Sequence, residues 1–160
     1  MQKKIITFLL MISLIGTTAV FGAKAKTKSV QPQSAPITIQ DVKPLDVVAC
    51  PTKYLNKKIR VKAKFDKFST LGLDYKPAFK SSEDYITFLI KRDDVINYVV
   101  PLSEMKNFLP RKLAEKYIDL KPGDEIEYVG TVFSDALSDT WVDVESFEVT
   151  KEVFKDKNPQ

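Results

Sequence analysis

From Lys57 the chain alternates apolar and charged residues with period two. Ile59, Val61, Ala63 and Phe65 fall on one side, and Lys58, Arg60, Lys62 and Lys64 on the other, the pattern of a strand with one face in a core and one in water. Residues 66–82 carry Gly72 and Pro77 and read as a long connection rich in aromatic residues. The run EDYITFLIKRD at 83–93 is rich in β-branched and aromatic side chains and predicts a second strand. Asp93 and Asp94 turn the chain into a short third strand, INYVV at 96–100, ended by Pro101. Beyond it, apolar Met105, Leu109, Leu113, Tyr117 and Leu120 recur close to every fourth position, with Ser103 placed to cap a helix. Pro110 divides this pattern into a short helical turn and a better helix over 111–119. KPGD at 121–124 supplies a turn, EIEYVGTVF a fourth strand, SDALSDT a loop, and WVDVESFEVT at 141–150 a fifth strand.

Three strands, a helix and two strands within about 100 residues is the order of a mainly β domain built as a single five-stranded Greek-key barrel, the OB-fold, with one helix between strands three and four. The N-terminus fits no such domain. MQKK, the apolar run IITFLLMISLIGTTAVFG and the small-x-small AKA have the layout of a signal peptide over residues 1–25, cleaved after Ala25. An uncleaved anchor is the competing expectation, because the run approaches the ~20 apolar residues that span a bilayer; Thr7, Ser13, Gly16, Thr17 and Thr18 dilute it and favour cleavage, leaving no membrane span. Residues 26–40 have the Lys, Ser, Gln and Pro content of a flexible linker. The domain is then expected over 41–155, a short tail over 156–160, and the mature chain outside the cytoplasm, periplasmic or extracellular.

Two stretches bear a resemblance. PTKYLNKKIRVKAKF, residues 51–65, resembles the opening of exported bacterial OB-fold domain proteins, whose function is largely undefined, and LKPGDEIEYVGTVF resembles their fourth strand with its turn Gly123, Asp124 and mid-strand Gly130. Asn56 stands where Gly is usual before the paired lysines, and Asn tolerates the left-handed backbone such a turn needs. Ala63 stands where Gly is usual within the first strand. The resemblance covers about residues 45–150, rests on structural motifs and implies the fold more than a role.

Charge then alters the meaning of the basic strip. The chain holds 25 cations and 21 acids, but Lys3, Lys4, Lys24, Lys26 and Lys28 all precede residue 41, so residues 41–160 balance 20 cations against 21 acids. A polyanion binder carries clustered positive excess on its folded domain. In an OB-fold the first strand pairs with the fourth, which would set Glu125 and Glu127 across from the lysines if Ile126, Tyr128 and Val132 point inward. Binding residues expected on this basis are Lys58, Arg60, Lys62 and Lys64 of the strip, Tyr85 and Tyr98 as aromatic platforms beside Lys91 and Arg92, and Phe68, Tyr75 and Trp141 in or beside the long loops that flank the usual OB binding face.

The chain has no histidine, which removes the commonest general base and the imidazole metal ligand together. No GxSxG elbow or glycine-rich phosphate loop is present. Asp135, Asp139 and Asp143 are four apart with no glycine among them, unlike a calcium loop, so no metal and no cofactor are expected. The single Cys50 cannot form an internal disulfide and reads as a buried thiol; VVAC at 47–50 lies too far behind the apolar run to serve as a lipidation site. The expectation is a non-catalytic module for a protein or small-molecule ligand of the envelope, with a nucleic-acid or polyanion binder as the alternative and a carboxylate-based enzyme a weaker one.

Overall fold

The computed structural model describes residues 38–95 and 100–153. The signal peptide, nearly all of the linker, the tail and Tyr98 lie outside the described residues. Within them, β1 (Gln40–Val42) is followed by α1 (Pro44–Ala49) and α2 (Pro51–Tyr54), then β2 (Lys58–Ser69), β3 (Tyr85–Ile90), β4 (Met105–Pro110), α3 (Arg111–Ala114), β5 (Glu125–Ser134) and β6 (Thr140–Lys151). A 3-10 turn, Glu115–Tyr117, extends α3, and another, Ala136–Ser138, lies between β5 and β6.

The alternation in β2 sets the register of the whole sheet. Ile59, Val61 and Phe65 are buried while Lys62 and Lys64 are exposed. The first half of β2 pairs antiparallel with β5, Lys62 opposite Glu127 and Lys64 opposite Glu125, and its second half pairs with β3. β3 pairs with β4, β4 runs parallel to β6, and β6 pairs with β5, so β2-β3-β4-β6-β5 closes on itself. This is the five-stranded OB-fold barrel. Bends in the strands allow the closure: a register shift between Phe65 and Lys67 buries both Phe65 and Asp66 and carries β2 on to Ser69. Phe68 therefore belongs to a strand, with its ring edge-on to Phe65 at 5.0 Å, and not to the connection.

The third barrel strand is β4, between β3 and β6; the short strand expected at 96–100 lies, apart from Val100, outside the described residues. Residues 103–109, expected to begin a helix, are mostly strand, because a spacing of four from Met105 to Leu109 keeps both side chains on one face of a strand as well as of a helix. Two further features hide the alternation. Asn107 takes an inward position, where its Oδ1 accepts from Tyr128 Oη at 2.9 Å and its Nδ2 donates to Phe88 O at 3.3 Å, and Phe108 takes an outward one. Helix after Pro110 is limited to α3 and its 3-10 extension, which place Leu113, Ala114 and Tyr117 on the core.

The N-terminal elements went unpredicted. α1 and α2 each begin with a proline in the first turn, where its missing N–H costs nothing, and they deliver Val47 and Tyr54 to the core. Gly130 sits at a register shift between β5 and β6, where a Cβ would lie 2.5 Å from Asp143 O. Asn56, with φ +60°, makes the left-handed turn into β2.

Candidate binding face

The strip on β2 faces carboxylates of its own sheet. Lys58 Nζ lies 2.5 Å from Glu145 Oε2, Arg60 Nε 3.2 Å from Glu127 Oε1 and Lys62 Nζ 3.4 Å from Glu127 Oε2, while Arg60 also reaches Asp41 at 3.5 Å. The bond from Lys58 holds the Glu145 carboxyl below its ordinary pKa against the opposing effect of burial. The strip opens at Arg60 and Lys62 onto a cleft of about 880 Å³ shared with Asp41, Asp46 and Glu127, and toward its far end onto one of about 960 Å³ whose lining includes Lys62, Lys64, Lys91, Arg92, Asp93 and Glu125. Arg92 there is bonded to Asp94 at 3.0 Å and Glu104 at 2.6 Å.

The outer face of β3, β4 and β6 is where an OB-fold usually takes its ligand. Here it is roofed by the chain itself. Residues 70–84, the β2–β3 loop, fold back over Phe108 of β4 and Trp141 of β6, whose rings stack at 5.5 Å and 16°. Ala78 is buried with them, and Leu73, Tyr85, Phe133 and Ala136 pack around the cluster. Gly72 allows the close approach: with φ +82°, a Cβ there would stand 3.1 Å from both Phe108 Cζ and Trp141 Cζ3. Trp141 is 1% exposed, and its Nε1 donates to Ala136 O at 2.8 Å. Burying rings of this size contributes about 1.5–3 kcal/mol each, so the face is a second core rather than an open platform.

Lysines are drawn into this cluster. Lys80 Nζ lies 2.5 Å from Asp143 Oδ2, donates to Tyr85 Oη at 3.1 Å and sits 4.2 Å from the Tyr85 ring centroid. Burial disfavours its charge, but the bonds to Asp143 and Tyr85 outweigh that, and its pKa rises above the ordinary lysine value. Lys106 is paired with Asp139 and lies 5.4 Å from the Trp141 centroid. Asp135 accepts from Thr52 Oγ1 at 3.0 Å. The three aspartates 135, 139 and 143 thus each have a protein partner, and among the described residues no group of three or more acid or thiol side chains is placed to hold a metal.

Of the residues expected to bind, the structure gathers Tyr75, Tyr85 and Trp141 at the cluster, Tyr75 with its ring 5.4 Å from Trp141. Tyr85 is half-buried rather than an open platform. Phe68 and the strip lie elsewhere on the barrel. Cys50, expected to be buried, is exposed between α1 and α2, where the following Pro51 keeps it out of the helical backbone region and it ends α1 at φ −144°, ψ 64°.

Sequence reasoning missed two exposed apolar side chains at the same end of the barrel, Leu71 and Leu137, while Tyr75 and Phe79 already stood among the aromatics of the long first loop. Leu71, Tyr75 and Phe79 project from the β2–β3 loop and Leu137 from the β5–β6 loop. Phe79 is 90% exposed at φ +52°, and Leu137 is 67% exposed at φ +61°. Bulky residues rarely adopt this backbone region. Each follows an alanine, Ala78 or Ala136, that packs on the Trp141 cluster. Nothing in the local sequence marks them, since the strain appears only once both alanines are fixed.

No protein-family model and no curated protein matches the sequence. Among solved structures, the chain is similar to asparaginyl-tRNA synthetase from Pyrococcus horikoshii, at 20% identity and TM-score 0.47 over 72% of this chain and 24% of that one. It is similar to a putative aspartyl-tRNA synthetase from Leishmania major Friedlin, at 10% identity and TM-score 0.47 over 79% of this chain and 23% of that one. A third similarity is to the OBody AM1L10 bound to hen egg-white lysozyme, at 9% identity and TM-score 0.44 over 63% of this chain and 85% of that one. The chain spans about a quarter of the length of the two synthetases.

Proposed function

We propose that the chain is an exported, non-catalytic OB-fold module that binds a protein partner in the cell envelope through the outer surface of the β2–β3 loop and the adjoining β5–β6 loop. The observation that carries this is Phe79. A positive φ costs a bulky residue on the order of 1–3 kcal/mol, and a side chain 90% exposed recovers none of that by packing in the isolated chain. Leu71, Tyr75 and Leu137 add apolar area at the same end, and aromatic anchors are the residues on which protein interfaces most depend. A leader of signal-peptide layout supports the envelope as the place of action, and the lack of histidine supports binding over catalysis.

Phe79→Asp with Leu137→Asp should reduce co-purification of the envelope partner more than ten-fold while the melting temperature holds or rises, since both side chains are exposed and Asp tolerates the left-handed backbone better than Phe or Leu. Unchanged recovery of the partner would refute the proposal.

One observation favours a second reading. The cleft at the end of the strip brings Lys64 and Lys91 together beside Lys62 and Arg92, the latter two already paired with carboxylates, a pair of cations able to meet a phosphate of a polyanion. Single-stranded RNA bound there would weaken steeply with salt, and Lys64→Glu with Lys91→Glu would abolish the binding.

A further inference from the structure

The roofed face has the construction of a site whose occupant is a piece of the same chain. Among the described residues, the backbone–backbone hydrogen bonds of residues 71–80 all close within the loop itself: Leu73 N to Thr70 O, Asp74 N to Lys80 O and Ala78 N to Tyr75 O. The loop is held down by side chains alone over that stretch. Tyr75 lies against Trp141, Leu73 and Ala78 pack in the Phe108–Trp141 cluster, and the Lys80 ammonium enters a cage. The barrel builds every wall of that cage: the Tyr85 ring at 4.2 Å and its hydroxyl at 3.1 Å, the Phe133 ring at 5.4 Å and the Asp143 carboxylate at 2.5 Å. Aromatic faces joined by a carboxylate are the chemistry that recognises an ammonium group. Thr87 lies on the same outer face, opposite Phe108 in the β3–β4 register; it is fully buried and its Oγ1 has no hydrogen-bond partner. A buried hydroxyl without a protein partner calls for an explanation, and a ligand group on this face would supply one.

We infer that the outer face of β3, β4 and β6 is a binding site for a peptide carrying an aromatic residue and, five positions on, a lysine, and that the β2–β3 loop is a tethered copy of that ligand. A nucleic acid fits the uncovered face less well, because its phosphates would meet the carboxylates of Asp139 and Asp143. The inference is independent of the contact proposed for the loop's outer surface: Phe79 and Leu137 take no part in the cage, so either can fail alone.

The test uses the full chain with Gly72→Val and Lys80→Ala. A β-branched residue at φ +82° beside the Phe108 and Trp141 rings lifts the loop, and loss of the lysine empties the cage. The probe is the 15-residue peptide TLGLDYKPAFKSSED, the sequence of residues 70–84. It has no tryptophan, and Trp141 is the chain's only one, so emission reports the face directly. Emission of the variant should shift to the red relative to wild type, and the peptide should reverse the shift. Wild type should need at least ten-fold more peptide, because its own loop competes at an effective concentration on the order of millimolar. A peptide with alanine in place of its second lysine should bind the variant at least ten-fold more weakly. Failure of the peptide to bind, equal affinity for the two peptides, or reversal of the shift by a 15-nucleotide RNA instead would each overturn the inference. Lys80→Ala alone, which adds no bulk, carries the same test if the double variant does not fold.

Discussion

Reversing the strip separates sheet chemistry from ligand chemistry. Lys62→Glu with Lys64→Glu removes the Lys62–Glu127 pair at 3.4 Å and sets new carboxylates opposite Glu127 and Glu125 in the β2–β5 register. The Lys62 side chain is 78% exposed, so the lost attraction is that of a surface pair, at most about 1 kcal/mol. Like charges directly across a sheet cost a similar amount at each position. The sum is roughly 1–2 kcal/mol, or about 3–10 °C in melting temperature for a domain of this size. Differential scanning calorimetry at low salt measures it, and 0.5 M salt should shrink the difference, since exposed charges are screened over a few ångströms. Partner recovery should be unaffected. An unchanged melting temperature at low salt, or loss of the partner with stability intact, would refute the assignment of these lysines to the sheet.

Gly130→Ala brings a Cβ to 2.5 Å from Asp143 O and 2.8 Å from Val142 Cγ1, a backbone clash that should destabilise by about 2–4 kcal/mol, read from the urea midpoint; a change under 0.5 kcal/mol would contradict the close approach of β5 and β6. Acid should weaken the fold. Asp74, Asp94, Glu104 and Glu145 all have carboxyl pKa values held below their ordinary 3.8–4.5, so their contribution is complete above that range and is lost as pH falls through the lower folded values. Lys80, raised above 10.5, acts oppositely: its contribution is complete below 10.5 and is lost as pH rises through the higher folded value. Between pH 6 and 8 urea midpoints should be level, with no histidine to titrate; a slope there would contradict this.

The barrel was legible where each strand has one wet face. β2 and β5 alternate because lysines and glutamates of the pair meet in solvent, and the fold follows from their order. β4 was not legible, because both of its faces are buried: Phe108 lies outward beneath the loop and Asn107 inward beside Tyr128, which cancels the period-two signal. The same roof explains the fate of the predicted site. Tyr75 and Trp141, read as residues in and beside the two long loops, lie against each other, and Tyr85, read as an open platform on the second strand, packs on the same cluster. That Lys80 would enter a cage of Tyr85, Phe133 and Asp143 could not be read, since those residues come from three strands up to 63 positions away. Cys50 and the helices around it depended on Pro44 and Pro51, whose placement at helix starts was the available signal.

The most direct measurement is site-specific photo-crosslinking in cells that produce the chain, comparing a benzophenone side chain in place of Phe79 with one in place of Lys62. A discrete protein adduct from position 79 and none from position 62 is the expected result. Adducts to nucleic acid, or a protein adduct from position 62 alone, would contradict an interface built on the loop end of the barrel.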